Sequence, residues 1–319
     1  MTAVREAEPV EVDRFSPAHY EPERVPREVL RHRGTPDTLG VGRPGKVGLL
    51  ELGFARVGAR TELVRRFQKS PLQIMRPLYI DPLRPDLPVV YLMSTGGGIL
   101  QADRLRTDID CGADASVLVT TQAATKVHRM DRDYATQLVH LTAGRGAYLE
   151  YLPGPIIPYG GTRIYQRTVV TADPAATVLI AETVLAGRLA RGERHDYHVV
   201  ASDLEIARPG AGLVAVDAVR LDPGRARVTG PGVLAGHTLM STFYAVSPLA
   251  TPAAIADALH DALSGHPVDR GVSVLPHDAG AWVRMLADDP PAVTAALGAA
   301  WDAVRQLLTG VPAPALRKT

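Results

Sequence analysis

The residues of this chain with chemistry to offer are carboxylates set inside apolar runs and a cluster of short hydroxyl and amide side chains. Glu182 stands in "ATVLIAETVLAG", flanked by apolar neighbours. Leaving it ionised in a dry core costs several kcal/mol unless a partner or water lies near. One reading is a paired structural carboxylate, with Arg163, Arg188 or Arg191 as partner; the other is a wet interior lined by acceptors. Counting six residues on from the alanine after each of three turns (Ala115, Ala176, Ala211) gives Thr121, Glu182 and Asp217. In "AYLEYL" a carboxylate comes earlier, at Glu150. The stretch "TTQAATKVHRM" (120–130) adds Thr120, Thr121, Gln122, Lys126 and Arg129. It holds no nucleophile–base pair and no metal-ligand spacing, so it reads as a polar lining or a turn lock rather than a catalytic centre.

Better-known motifs fail on particular residues. "GVGRPGKV" (40–47) has the glycine and lysine spacing of a phosphate loop, but Val47 replaces the hydroxyl that would hold magnesium. Pro44 also lacks the N–H such a loop would use. "TGGGILQAD" (95–103) has Gln101 at the third glycine position of a dinucleotide fingerprint; its glycines mark a sharp turn or a close backbone approach. No Gly-x-Ser-x-Gly elbow and no His-Glu-x-x-His occurs. In "GERHDYH", His195 and His198 would point to opposite faces of an extended segment, so they read as solvated loop residues. Cys111, the single cysteine, reads as a small core residue. No catalytic residue and no tightly bound cofactor is expected.

The elements that must carry these residues are mostly strands. Alternation begins near Val47 and recurs to about Leu221, in "RLRTDID", "SVLVTTQ", "TQLVHLT", "AYLEYL", "RIYQRTVV", "ATVLIAETVL", "YHVVASDLEI" and "LVAVDAVRL". Turn clusters at 111–114, 143–146, 172–175 and 208–211 suggest a weak hairpin repeat, which must stack into two packed sheets to bury its faces. Residues 251–263 and 290–310 are alanine-rich with proline near the start, the pattern of helices. The expected fold is mainly β, a stacked two-layer solenoid or sandwich, with a small helical portion at about 250–310. A single β-rich domain spans 46–319. Residues 1–45, charged and proline-bearing, are expected to form a mobile extension.

With 319 residues the chain can bury a substantial core. A formal net charge of +1, without basic blocks and with only four Phe and two Trp, argues against nucleic-acid binding. No apolar stretch approaches a membrane span, and the N-terminus lacks a secretory h-region. One cysteine excludes an intramolecular disulfide framework, which fits a reducing, cytoplasmic compartment.

From about Lys46 to the C-terminus the sequence resembles the UreD (UreH) family of urease accessory proteins. The likeness is carried by "LLELGFARVGARTELVRRFQKSPLQIMRPLY", "GGGILQADRL", "TTQAATKVHR", "LEYLPGPIIPY" and "GRLARGE", all in order. It implies a non-enzymatic, mainly β scaffold that joins the partners UreF and UreG (a GTPase) and docks on apo-urease for nickel insertion. It also implies an internal water-filled route for Ni2+ in transit. Matched by motif, Asp103, Glu150 and Glu193 become transient path sites, with Lys126 and Arg129 in the matching Thr-Gln-Ala-x-x-Lys stretch. Glu182 joins them through its apolar surroundings. Thr120, Thr121 and Gln122 would line the path, and Lys126 would pair with a carboxylate or position its loop. This sequence departs from the family at Gln101-Ala102, where Gly-Gly is usual. Two other functions fit the residues: a β-rich hydrolase using paired carboxylates, or a purely adhesive assembly scaffold.

Overall fold

In runs such as "RLRTDID" one phase is largely apolar and the other charged, the period-two pattern of a pleated strand. Runs such as "ATVLIAETVL" are mostly apolar in both phases, as in a strand covered on both faces. The structure, a computed structural model, describes Arg14, residues 16–35 and residues 47–316. The first strands are β1 (Val47–Val57), β2 (Arg60–Lys69), β3 (Leu72–Gln73), β4 (Val89–Ser94), β5 (Arg104–Cys111) and β6 (Ser116–Thr121). There follow β7 (Thr125–Val127), β8 (Ala135–Ala143), β9 (Tyr148–Leu152), β10 (Ile156–Pro158), β11 (Arg163–Ala172) and β12 (Thr177–Leu185). The last are β13 (Val199–Arg208), β14 (Gly212–Leu221), β15 (Leu239–Val246), β16 (Asp269–Val274) and β17 (Gly280–Ala287). The helices are α1 (Arg27–Leu30), α2 (Pro252–Leu263) and α3 (Pro290–Thr309). None of the described helices is long and apolar enough to cross a membrane.

Two sheets face each other. One runs β14-β13-β11-β8-β5-β1-β2; the other runs β16-β17-β15-β12-β9-β6-β4-β3, with β10 joined to β12 and β7. The expected hairpins are of two kinds. Only the turn at 208–211 joins antiparallel neighbours, β13 and β14. The other three are arches, because β5, β8 and β11 stack in parallel in the first sheet while β6, β9 and β12 stack in parallel in the second. The hairpin repeat is thereby corrected to a short solenoid.

The physical reason lies at the corners. A chain that passes from one sheet to the other must turn against the core, so small residues flank each turn. Cys111 and Ala115, Ala143 and Ala147, and Ala172 and Ala176 are all 2% exposed or less. Successive turns bond to one another: Gly144 N–H donates to the Cys111 carbonyl at 2.8 Å, and Asp173 N–H to that of Ala143 at 2.9 Å. A Cβ on Gly144 would lie 2.9 Å from the Ala113 nitrogen, so this stacking requires glycine.

Between the sheets lie two apolar clusters, one including Leu52, Ile109, Val139, Val170 and Ile180, the other Leu105, Ala135, Ile164, Val200 and Met240. The far side of the second sheet is covered by α2 and α3, which bury Ile255, Leu259 and Val304 against Leu118, Leu179 and Phe243. Both helices start as their sequences suggest: the Thr251 and Asp289 side chains accept the N–H groups of Ala254 and Ala292, and Gly310 ends α3 in the left-handed conformation.

The N-terminal expectation needs correction where it can be compared. Residues 16–35 are not a free extension but a strap across the outer face of the first sheet. Tyr20 and Val29 are its buried anchors, at 2% and 0% exposed. Ion pairs fix its length: Glu21 with Arg104 at 2.9 Å, Glu23 with Arg167 at 3.2 Å and Arg31 with Asp222 at 2.8 Å. The segment shows no periodicity because it docks through two apolar anchors and scattered charges rather than through a continuous face. Residues 1–13, 15 and 36–45 of the expected extension, and most of "GVGRPGKV", lie outside the described residues.

Candidate functional site: a polar belt between the sheets

The inward-facing series of most strands is interrupted once by a polar residue, and the interruptions line up. In the first sheet they are Thr107 between Leu105 and Ile109, Gln137 between Ala135 and Val139, and Gln166 with Thr168 between Ile164 and Val170. Ser202 follows between Val200 and Leu204, and Asp217 between Ala215 and Val219. The second sheet supplies Thr121 after Val119, Glu182 between Ile180 and Val184, Thr242 between Met240 and Tyr244, and Arg284 between Trp282 and Leu286. Register enforces the alignment: Gln137, Gln166 and Ser202 are lateral neighbours, as are Glu182, Thr242 and Arg284. The belt separates the two inter-sheet apolar clusters.

Glu182 is its centre. Its Oε1 accepts from Gln166 Nε2 and Thr168 Oγ1, each at 3.0 Å, and its Oε2 from Ser202 Oγ at 3.4 Å. These partners are neutral, and none is an arginine considered from the sequence. Burial pushes its pKa up to about 7; the Thr168 hydrogen bond opposes this and the Asp217 charge adds to it. A cavity of about 270 Å³ lies along the belt, with Thr107, Thr121, Gln137, Gln166 and Glu182 in its wall. Its lining is mixed, with apolar residues such as Leu50 and Leu105 beside these polar groups, and it has room for several waters. Gln137 Oε1, in the same wall, is buried and meets no protein hydrogen-bond donor. At the other end of the belt Asp217 accepts from the Tyr244 hydroxyl at 2.7 Å and from the Arg284 guanidinium.

The 120–126 cluster forms the rim of this cavity. Thr121 Oγ1 donates to the Ala123 carbonyl at 2.9 Å and accepts the Gly154 N–H at 2.7 Å, so it locks two turns while lining the wall. Gln122 and Lys126 are exposed at the rim. The glycine turn closes the same rim. Gly98 has φ +143°, and a Cβ there would stand 2.4 Å from the Lys126 carbonyl, the close approach its sequence suggests. That carbonyl accepts the Ile99 N–H at 2.8 Å, so Lys126 positions the loop through its backbone. Thr120 points the other way, donating to the Leu152 carbonyl at 2.5 Å. Arg129 is exposed and pairs with Asp131 at 2.8 Å. Cys111 is fully buried, as expected, and donates to the Ala115 carbonyl at 3.3 Å.

The four expected path carboxylates are not brought together. Asp103, 1% exposed, uses its carboxylate to accept the Leu100 N–H at 2.8 Å and so closes the glycine-rich turn. Preceding it, Ala102 holds φ +61°. Glu150 lies on the opposite face of the second sheet from Glu182, under α3. It accepts from the Tyr148 hydroxyl at 2.7 Å and lies 3.7 Å from Arg305, which also pairs with Asp81. Burial raises its pKa, against the opposing charge of Arg305. Glu193 sits on a loop, clamped by Arg188 Nε at 2.7 Å and held below its usual pKa by that bond. Both are corrected from path lining to arginine-paired anchors.

Sequence reasoning found Thr121, Glu182 and Asp217 by their common offset but missed Thr107, Gln137, Gln166, Thr168, Ser202, Thr242 and Arg284. The available signal was an uncharged polar residue in the inward phase of a strand. Chemically, the belt offers one carboxylate among amides, hydroxyls and room for water. That set suits loose coordination of a cation and does not assemble a nucleophile with its base.

Comparison with known proteins identifies the family. Residues 46–319 match the family model described as UreD urease accessory protein. The chain is 58% identical over 285 residues to urease accessory protein UreD 2 of Streptomyces griseus, covering 89% of this chain and 97% of that protein. It is 38% identical over 278 residues to UreD of Haloarcula marismortui, covering 87% and 92% respectively. It is 35% identical over 295 residues to UreD 2 of Brucella suis, covering 90% and 96%. With a match over most of its length and relatives well above chance similarity, this chain belongs to the UreD family, whose members are urease accessory proteins and not enzymes.

Proposed function

We propose that this protein serves nickel insertion into apo-urease as a cytoplasmic scaffold in a hetero-oligomeric accessory complex with UreF and UreG, and that Ni2+ in transit uses the inter-sheet belt. The observation that carries the reading is Glu182, a carboxylate facing a cavity large enough for water and held only by neutral donors. A carrier that must give up its ion cannot bind it in a closed cysteine or histidine cage. Passage needs sites attractive enough to admit a cation and weak enough to release it. Nickel prefers imidazole to oxygen ligands, so a belt of carboxylate, amide oxygen and water would hold it only loosely, as a carrier requires. The path residues are then Glu182, Thr121 and the amides of Gln137 and Gln166. Gln122 and Lys126 stand at the rim, and Asp103, Glu150 and Glu193 hold the walls in place.

Activation of apo-urease by the complete accessory complex tests this. Glu182→Gln keeps the shape and an oxygen for the Gln166 and Thr168 donors, turns the Ser202 contact into one the amide N–H donates, and removes the charge; it is expected to leave the complex assembled and lower the nickel delivered. Glu193→Gln, at a surface clamp, is expected to deliver normally once folded. The adhesive-scaffold reading draws support from the arginine clamps on Glu150 and Glu193. It is favoured if Glu182→Gln delivers nickel at the normal rate.

A further inference from the structure

On the outer face of the first sheet, away from the belt, three neighbouring parallel strands place metal-ligand side chains in one lateral row. Glu51 of β1 pairs with Asp108 of β5, and Asp108 with His140 of β8. Adjacent strands lie about 4.8 Å apart, so these side chains stand beside one another. The strap adds a fourth group from above: His19, on the 3-10 turn Pro17–Tyr20. One ring nitrogen of His19, one oxygen of Glu51 and one of Asp108 lie within 4.8 Å of one another. Glu51 is 8% exposed, and His19 Nε2 is buried without a hydrogen-bond partner. His140 Nδ1 sits 2.9 Å from Asp108 Oδ1, the arrangement by which an imidazole orients a ligating carboxylate.

Two guanidiniums already face the cluster. Arg14 contacts Glu51 at 2.6 Å and Arg106 contacts Asp108 at 2.8 Å, while Arg106 also donates to the His19 carbonyl at 2.8 Å. Glu51 Oε1 takes one arginine N–H at 3.2 Å and Asp108 Oδ2 one at 2.8 Å, which leaves a lone pair on each, so an ion can share these two oxygens with the arginines, at reduced affinity. Imidazole with carboxylate oxygen selects a borderline transition metal over calcium or magnesium.

We propose that His19, Glu51 and Asp108 form a surface site for a divalent transition-metal ion such as Zn2+, oriented by His140, and that the ion clasps the N-terminal strap to the sheet. The site is separate from the belt and does not depend on the belt's function.

The test titrates Co2+ and Zn2+ into the full-length protein carrying Glu182→Gln, which removes the internal carboxylate. One ion per chain is expected, with a Co2+ visible spectrum. His19→Asn is expected to abolish binding, and His140→Ala to weaken it roughly tenfold. Arg14→Gln is expected to tighten it by removing a competitor. Zn2+ is expected to slow tryptic cleavage after Arg24 and Arg27, and to lose that effect in the His19→Asn protein. Unchanged binding in a folded His19→Asn protein overturns the proposal. So does binding that is present in the wild type and absent in Glu182→Gln, since the ion would then belong to the belt.

Discussion

Ala102 and Glu182 each hold a state that costs free energy. Ala102 sits at φ +61°, in the left-handed region that favours glycine. A left-handed alanine costs about 1–2 kcal/mol, and glycine gives back about 0.5–1 kcal/mol through the freedom of the unfolded chain. Ala102→Gly is therefore expected to stabilise the fold by about 0.5 kcal/mol in urea denaturation; a loss of stability would contradict the assigned backbone geometry. Glu182 has its folded pKa raised from 4.5 to about 7. Its contribution to stability is full below the unfolded value and is lost as pH rises through the folded one, so the window is roughly pH 4.5 to 7. The amount at stake is about 3 kcal/mol. Glu182→Gln is expected to flatten that decline and to be more stable than the wild type at pH 8. A parallel pH profile in both proteins would contradict a carboxylate held by neutral partners. The offset from the arch alanines exposed Glu182, Thr121 and Asp217 in the sequence. Gln137 was hidden because outward Leu138 and inward Gln137 invert the usual polarity of β8. Glu150 was misplaced because every residue of β9 is buried, which leaves no solvent phase to tell its faces apart.

The arches and α3 are the elements on which the belt depends. The runs of alternating residues were legible as strands, and Pro marked the start of both long helices and Gly the end of α3, to within a residue or two. Arch and hairpin share the same alternation and the same turn residues, so the turns alone could not separate them. What does separate them is the pair of small buried residues on either side of each corner, such as Ala143 and Ala147. Helix α3 reports its docking through charge. Arg305 is 0% exposed and is the common partner of Asp81 and Glu150, themselves 3% and 0% exposed. Removing one member of a buried ion cluster strands the others and costs about 3–5 kcal/mol. Arg305→Met is expected to destabilise by that order in urea denaturation, and adding Glu150→Gln to restore part of the loss. Additive effects of the two changes would show that Glu150 does not depend on Arg305.

For the whole molecule the layout divides labour. Helices seal one face of the second sheet, the strap covers the outer face of the first, and the space between the sheets is left with a polar seam. The two-layer β architecture and the helical portion followed from period and composition. The seam did not, because its lateral alignment is a property of register between strands distant in sequence. The central claim is that this seam, through Glu182, is what nickel uses. The most direct measurement is the nickel content of urease after apo-urease is incubated with accessory complexes that differ only at residue 182, alongside a check that both complexes assemble equally. The expected result is equal assembly, with nickel transfer by the Glu182→Gln complex reduced to a small fraction of the wild-type rate. Equal assembly with equal transfer would contradict the account.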